Sequence, residues 1–563
     1  MVEDHGAGWP ISLNNDIVPP AGPSQAPSRW PPCAGHHHPQ EYHAAFRWAP
    51  HRPSGPAPLP VREGSVSQAR QQDSADVGMI WKNASWLGVV PVLLNIVALF
   101  STGYITRRVG PAGFGQFSIA LALTGLTVTI TDLGLRSLAV RNLARSGPGA
   151  RRGLHDLMSV RLITAAVATV MAWVMAATIA ALSTGSRLPP VLLVSSLGIV
   201  PTAMVGVFTD GLMARDQARA TSAATFWSGA LLTIASVVAV ALRPTGEMLA
   251  ASYLVGPFIK VMMLSHRARE FYGPIRLRWR PKQWRVLTAR SFGFFKVSLT
   301  GQAINRIETP LIGWLFGEKI AGIFAASMTL AERLGLVIDN VTTAALPTLM
   351  RLRGDATRIG EVVARIMHPL LTALLVGSIM AMMGSTAAVT VVFGRAYEPG
   401  GIALAVALFA LPVNAVNAML SEGFIAFRRL EFVAATAQRG QMVTAASMAV
   451  LPWLVGVAGA PLARLLGALV VNVISVRASL GPFAVVWEPQ RLRQLLRAVL
   501  WAAPMPFLLW LGDFGPVVTV LVSGGGFLCW LVATAVANNW LRLLRPQRDT
   551  VEVREEPPPS AST

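Results

Sequence analysis

The chain has 563 residues, of which 53% are hydrophobic and 13% charged, with a formal net charge of +20 and a mean hydropathy of +0.50. A soluble protein of this size would need about twice that charge density to cover its surface, so a soluble enzyme is excluded and the composition is that of a polytopic membrane protein. The basicity does not point to nucleic acid, because the 43 Arg and 5 Lys lie mainly in short segments between apolar runs and not in one basic domain.

Residues 1–78 hold 13 of the 39 prolines and 6 of the 9 histidines, including His36, His37 and His38, with no sustained apolar period. Such a segment cannot bury a core and is expected to be a disordered tail, with the histidines incidental to it. Cys33 and Cys529 are far apart and belong to no metal-ligand spacing, so neither a disulfide framework nor a structural zinc site is expected, and no other bound metal or cofactor is called for.

From residue 79 to 545, windows of roughly 20 apolar residues recur, the length a helix needs to cross a bilayer. Fourteen spans are predicted: 84–105, 116–135, 159–183, 190–212, 221–242, 248–265, 292–316, 320–348, 366–392, 401–425, 432–455, 461–485, 498–512 and 515–540. The thirteenth is short and broken by Pro504 and Pro506, so twelve or thirteen spans stay open. Loop charge tests the alternation: alternate loops carry about 28 Arg and Lys and those on the other side about 6, the asymmetry expected when the basic loops face the cytoplasm. Both termini are therefore expected inside. The basic segment 266–291 separates an N-lobe of six spans, 79–265, from a C-lobe of six, 292–487; the last two spans occupy 488–545, and 546–563 is a second polar tail.

The turn after the first span reads GPAGFGQF and the turn after the seventh GEKIAGIF. Gly110, Gly115 and Phe117 match Gly317, Gly322 and Phe324 at a single offset of 207 residues, which also carries Asp132 onto Asp339. Six spans separate the copies, an even number, so the duplicated lobes keep one orientation and face each other across a central cavity. The fold class expected is all-α, with about 14 transmembrane helices in two pseudo-symmetric six-helix lobes plus two C-terminal helices, and the four glycines are expected at turns or gates.

Ionisable groups within a span cost several kcal/mol unless they face protein or water, so they mark the cavity. Ser298, Gln302, Asn305, Arg306, Glu308 and Thr309 share one face of the seventh span, and Thr329, Glu332, Arg333, Asp339, Asn340 and Thr343 one face of the eighth. Asp132, Arg136, Arg161, Asp210, Asn414, Asn417, Glu422, Arg439 and Arg477 add to the set. Arg306 and Arg333 could simply pair with Glu308 and Glu332 to fasten helices. Arg439 and Arg477 have no acidic neighbour in their own spans, however, and surplus guanidinium suits an anionic headgroup, whose phosphate oxygens Arg forks bidentately. No P-loop, HExxH pair or G-x-S-x-G elbow is present, which excludes transport driven by an ATPase of the chain's own.

The stretch TRRVGPAGFGQFSIALALTGLTVTITDLGLRSLAVRNLAR, Thr106 to Arg145, resembles the amino-terminal signature of Wzx-type polysaccharide flippases in the multidrug/oligosaccharidyl-lipid/polysaccharide (MOP) exporter superfamily. INRIETPLIGWLFGEKIAGIFAASMTLAERL is similar to a second segment of that family, with Glu308 where Asp is usual, and VVFGRAYEPGGIALAVALFALP to a third. The resemblance covers nearly all of 79–545. It implies a non-enzymatic, alternating-access carrier in the bacterial cytoplasmic membrane, moving a polyprenyl-pyrophosphate-linked oligosaccharide to the outer leaflet. On that reading Arg306, Arg333, Arg439 and Arg477 bind pyrophosphate, and Gln302, Asn305, Asn414 and Asn417 meet sugars. Glu308, Glu332, Asp339 or Asp132 would take a coupling proton or sodium ion. Partners would be the bilayer, the lipid-linked substrate, and a polysaccharide polymerase and glycosyltransferases. Lipid-II flippases of the superfamily carry arginines in the first span, where this chain has only Asn95, which favours an exopolysaccharide or O-antigen-like cargo. A drug exporter of the same superfamily and a non-transporting scaffold for polysaccharide assembly are the alternatives.

Overall fold

The computed structural model of the chain describes residues 63–132, 134–135, 143, 148–182, 186–215, 217–274, 277–278, 280–352, 355–502 and 515–537. Side chains are described from Val97 on, except in short stretches that include 292–303 and Asn305. Residues 1–62 and 546–563, and with them most of the two predicted tails, lie outside the described residues, as do Arg136 and the Pro504–Pro506 part of the thirteenth span. The chain divides into two units, residues 1–68 and 69–563; the second contains the helices that follow.

The described residues form sixteen α-helices and three short 3₁₀ turns, with no strand among them. Within the N-lobe these are α1 (Glu63–Asp132), α2 (Pro148–Leu182), α3 (Leu188–Ser196), α4 (Ile199–Met213), α5 (Ala218–Leu242), α6 (Gly246–Tyr253) and α7 (Val255–Tyr272). The C-lobe has α8 (Pro281–Phe316), α9 (Glu318–Arg351), α10 (Ala356–Met383), α11 (Ser385–Phe393), α12 (Gly401–Ala426), α13 (Leu430–Val455) and α14 (Gly459–Ser479). Then come α15 (Pro489–Ala502) and α16 (Pro516–Ala537). An all-helical answer is what a bilayer demands, since helices satisfy every backbone polar group internally.

Ten helical runs among the described residues are long and apolar enough to cross a membrane, an architecture compatible with the fourteen spans expected. Two of the four that are missing from the count are merged into runs that continue through short breaks; the seventh, on α8, is not among the ten, and the thirteenth lies partly outside the described residues. Val97–Asp132 contains the second span together with the end of the first, and Leu430–Ser479 contains the eleventh and twelfth. The fourth, sixth and ninth spans are each built from two consecutive helices, α3–α4, α6–α7 and α10–α11.

The duplicated turns have one backbone conformation. Gly110 (φ 76°, ψ 167°) breaks α1, and Gly317 (φ 88°, ψ 166°) separates α8 from α9; both lie where a side chain would be strained. The two turns also pack on each other reciprocally. A Cβ on Gly115 would run into the carbonyl of Glu318, and a Cβ on Gly322 into the carbonyl of Pro111. Residues 111 and 318 are themselves one offset of 207 apart, so the contact is what a local two-fold axis between the copies produces. Small residues are needed there because backbones meet directly. The Glu318 carboxylate accepts hydrogen bonds from Gln116 Nε2 (2.6 Å) and from the Ser186 hydroxyl, tying the start of α9 to the N-lobe.

Two hydrophobic cores support this arrangement. One lies within α2, α4 and α7, around Leu154, Val207, Leu212 and Tyr272, whose hydroxyl donates to the Gly211 carbonyl at 2.8 Å. The larger one fills the C-lobe around Phe324, Met367, Leu420 and Phe483 and extends across the duplicated turns to Phe114 and Phe117. Helices α13 and α14 approach closely along Gly440, Thr444 and Gly467, where a Cβ on Gly440 would lie 2.9 Å from the Gly467 carbonyl. Large apolar side chains such as Phe100, Trp227, Trp314 and Trp453 point outward, as lipid-facing residues do.

Candidate functional site

Three adjoining cavities hold most of the intramembrane polar residues. A central one of about 460 Å³ lies between α1 and α6 of the N-lobe and α8 and α9 of the C-lobe, with Tyr253, Arg306, Thr309, Thr329, Glu332 and Arg333 in its wall. A cavity of about 500 Å³ inside the N-lobe shares Leu121, Tyr253 and Arg306 with it. A third, of about 740 Å³ inside the C-lobe, shares Met328, Glu332 and Leu336. The lobe cavities are copies: the seven residues that α1 gives to the first, Leu121, Thr124, Gly125, Val128, Thr129, Thr131 and Asp132, all have their counterparts 207 positions later in the second.

Arg306 and Arg333 reach the same central cavity from consecutive helices, as expected of a site built on the faces of the seventh and eighth spans. The guanidinium of Arg306 is exposed to the cavity and makes no ion pair with a described residue. It crosses from α8 to lie on Gly125 of α1; a Cβ there would be 2.7 Å from Nη1 and 3.0 Å from Cζ. The repeat thus carries glycine in one copy, where the guanidinium needs room, and Glu332 in the other.

Glu308 does not pair with Arg306. Its carboxylate is 3% exposed and lies 3.3 Å from Nε of Arg464 on α14. Arg464 was missed by sequence reasoning because it stands 156 positions away in a span with no other polar marker near it, and only the packing of α13 against both α8 and α14 brings the two together. Asp132 is likewise engaged. Arg161 of α2 bridges it and Asp210 of α4, the latter at 3.3 Å, with the Arg161 side chain 4% exposed. Gly206 makes room for this guanidinium as Gly125 does for the other. The sequence marks these three ionisable residues individually; three different spans assemble them.

Glu332 and Asp339 both line the C-lobe cavity, and Glu332 also borders the central one. Asn414 lines the C-lobe cavity and is exposed to it. Asn417 is there too, but its amide donates to the Ala468 carbonyl at 3.2 Å, joining α12 to α14. Arg439 and Arg477 are exposed on α13 and α14 and are in the wall of none of these three cavities. The structure therefore brings together two of the four arginines expected on the anion. The side chains of Gln302 and Asn305 lie outside the described residues.

Chemically, the central cavity offers two guanidinium groups, hydroxyls and one carboxylate between two lobes, an arrangement that can hold a compact anion. A family model described as polysaccharide biosynthesis protein matches residues 80–353. A putative O-antigen transporter of Shigella flexneri is 37% identical over 65 residues, 12% of this chain and 15% of that protein, so the matched stretch spans about a seventh of the relative. Among solved structures, the lipid II flippase MurJ in an inward closed conformation matches with a TM-score of 0.63 at 12% identity, covering 83% of this chain and all of that one. A multidrug resistance MATE family transporter of the MOP superfamily, inward-facing, matches with a TM-score of 0.50 at 12% identity over 70% of this chain and 96% of that one. The fold is the one these two transporter structures share, and the polysaccharide-biosynthesis model and the O-antigen transporter support the Wzx-type resemblance that the Gly110–Phe117 turn carries in the sequence.

Proposed function

We propose that this multi-pass membrane protein, with the MOP fold and the sequence marks of the Wzx branch, is a flippase for polyprenyl-pyrophosphate-linked oligosaccharide. It works by alternating access in a bacterial cytoplasmic membrane, with both termini in the cytoplasm. The observation that carries the reading is the position of Arg306, a guanidinium without an ion-pair partner among the described residues, beside Arg333 in a cavity between the two lobes. A guanidinium that faces a cavity with no carboxylate paired to it is suited to an anion, whose oxygens it can fork bidentately. The pyrophosphate binds there, the lipid tail stays in the bilayer, and the glycan extends into the adjoining polar space, where Asn414 offers both a donor and an acceptor.

Coupling to a proton or sodium gradient falls to Glu332 and Asp339, since Glu308 and Asp132 are held by Arg464 and Arg161. The same acidic C-lobe cavity is the observation that favours a second reading, export of small cations. The test is appearance of a fluorescent polyprenyl-pyrophosphate oligosaccharide in the far leaflet of proteoliposomes, with Arg306→Ala and Arg333→Ala at matched insertion. Loss in both variants is expected. Unchanged transport would return the arginines to helix fastening, and no transport of this cargo by the wild type would bring cation export or a scaffold role forward.

A further inference from the structure

The N-lobe cavity has polar groups that nothing in the protein satisfies. Ser195 Oγ, Thr209 Oγ1 and Arg161 Nε are buried there without a hydrogen-bond partner. Groups left in that state cost stability unless a ligand or water completes them. The volume, about 500 Å³, is that of a small-molecule site, and the cavity borders the central one at Leu121, Tyr253 and Arg306, which line both.

Its charges narrow the ligand. A cation would meet the Arg161 guanidinium, and an anion would meet Asp132 and Asp210, both of which that guanidinium holds. A neutral ligand with hydroxyls, each both donor and acceptor, matches two unsatisfied hydroxyls and one N–H. The C-lobe copy differs at the decisive positions. The counterpart of Arg161 is His368, whose Nε2 is turned 2.8 Å from the Val486 carbonyl, and Glu332 replaces Gly125 at the border with the central cavity. A phosphate in the central cavity is thus drawn to the Arg306 side, at the mouth of the N-lobe cavity, and repelled by Glu332 at the mouth of the other.

From this juxtaposition we infer that the N-lobe cavity is a saccharide subsite which takes the sugar bonded to the pyrophosphate and favours an uncharged one. The inference rests on the reading of Arg306 and Arg333 as the pyrophosphate site, and it leaves Asn414 to sugars further along the repeat unit.

The experiment measures binding of two fluorescent lipids to the full chain in nanodiscs: polyprenyl pyrophosphate bearing one neutral hexose, and the same lipid without sugar. The double substitution Ser195→Ala with Thr209→Val removes two hydroxyls at nearly constant shape. It is expected to weaken the hexose lipid about tenfold, the effect of two lost hydrogen bonds, and to leave the sugar-free lipid within about twofold. In the wild type, a lipid whose first sugar is a uronic acid should bind less tightly than the hexose lipid. Equal affinity of wild type and double variant for the hexose lipid would show that the cavity holds water only, and equal weakening of both lipids would show a structural role; either overturns the subsite. If Arg306→Ala fails to weaken the sugar-free lipid, the pyrophosphate reading itself falls and the subsite falls with it.

Discussion

Gly125 offers the sharpest perturbation of the anion site without touching a charge. A methyl group added there would stand 2.7 Å from Nη1, 3.0 Å from Cζ and 3.3 Å from Cδ of Arg306. Ordinary contact requires about 3.4 Å or more between such atoms, so the guanidinium has to withdraw by several tenths of an ångström, which a long flexible side chain can do without unfolding the helix. The cost therefore falls on binding. A fork of two parallel N–H donors loses alignment at one of them, and a hydrogen bond to a charged group is worth about 1.5–3 kcal/mol, so Gly125→Ala should weaken pyrophosphate-lipid binding about tenfold or more. Gly125→Val should weaken it further, approaching Arg306→Ala, while the thermal unfolding midpoint stays near the wild type's. The assay is equilibrium binding of sugar-free polyprenyl pyrophosphate in nanodiscs. Wild-type affinity in Gly125→Val, with Arg306→Ala strongly impaired, would refute the claim that Gly125 seats the guanidinium for binding.

The Arg161→Met variant leaves Asp132 and Asp210 together without their shared cation, and losing one partner of a buried ion cluster costs about 3–5 kcal/mol. Its unfolding midpoint in detergent should drop markedly and recover for the most part when Asp132→Asn and Asp210→Asn are added; an unchanged midpoint in the single variant would sink the reading. At the duplicated turns, Gly115→Ala and Gly322→Ala each drive a methyl into backbone carbonyl that cannot swing aside, so both should abolish well-folded protein by size-exclusion profile. Gly110→Ala, with nothing near its Cβ but a positive φ, should cost only about 1 kcal/mol. Comparable yields for Gly115→Ala and Gly110→Ala would argue against the reciprocal packing.

Much of this architecture was legible from the sequence because the bilayer constrains it so strongly. An apolar window of span length has one stable conformation in hydrocarbon, and the predicted windows fall on helices from α2 to α14, although α2, α8 and α10 begin at Pro148, Pro281 and Ala356, well before the predicted 159, 292 and 366, because helix continues into the polar flanks that hydropathy does not mark. The duplication was legible too, because a positive φ favours glycine over other residues: Gly110 and Gly317 stand in register with matching angles. That Arg306 and Arg333 line one cavity was recognisable because they lie on the polar faces of consecutive helices.

Side-chain partnership was another matter. Glu308 pairs with Arg464 and not with an arginine on its own or the next helix, and Arg161 gathers Asp132 and Asp210 from two other spans. Arg439 and Arg477, equally conspicuous as charges in apolar runs, stay outside the three cavities. Sequence determined what crosses the membrane, the repeat that relates the lobes and which residues are too costly to face lipid, since each follows from the solvent or from local backbone geometry. Tertiary structure alone decided which of those charges neutralise one another and which remain open to a ligand, because that depends on the rotation and packing of helices hundreds of residues apart, and a few degrees of rotation moves a guanidinium from a carboxylate to a cavity.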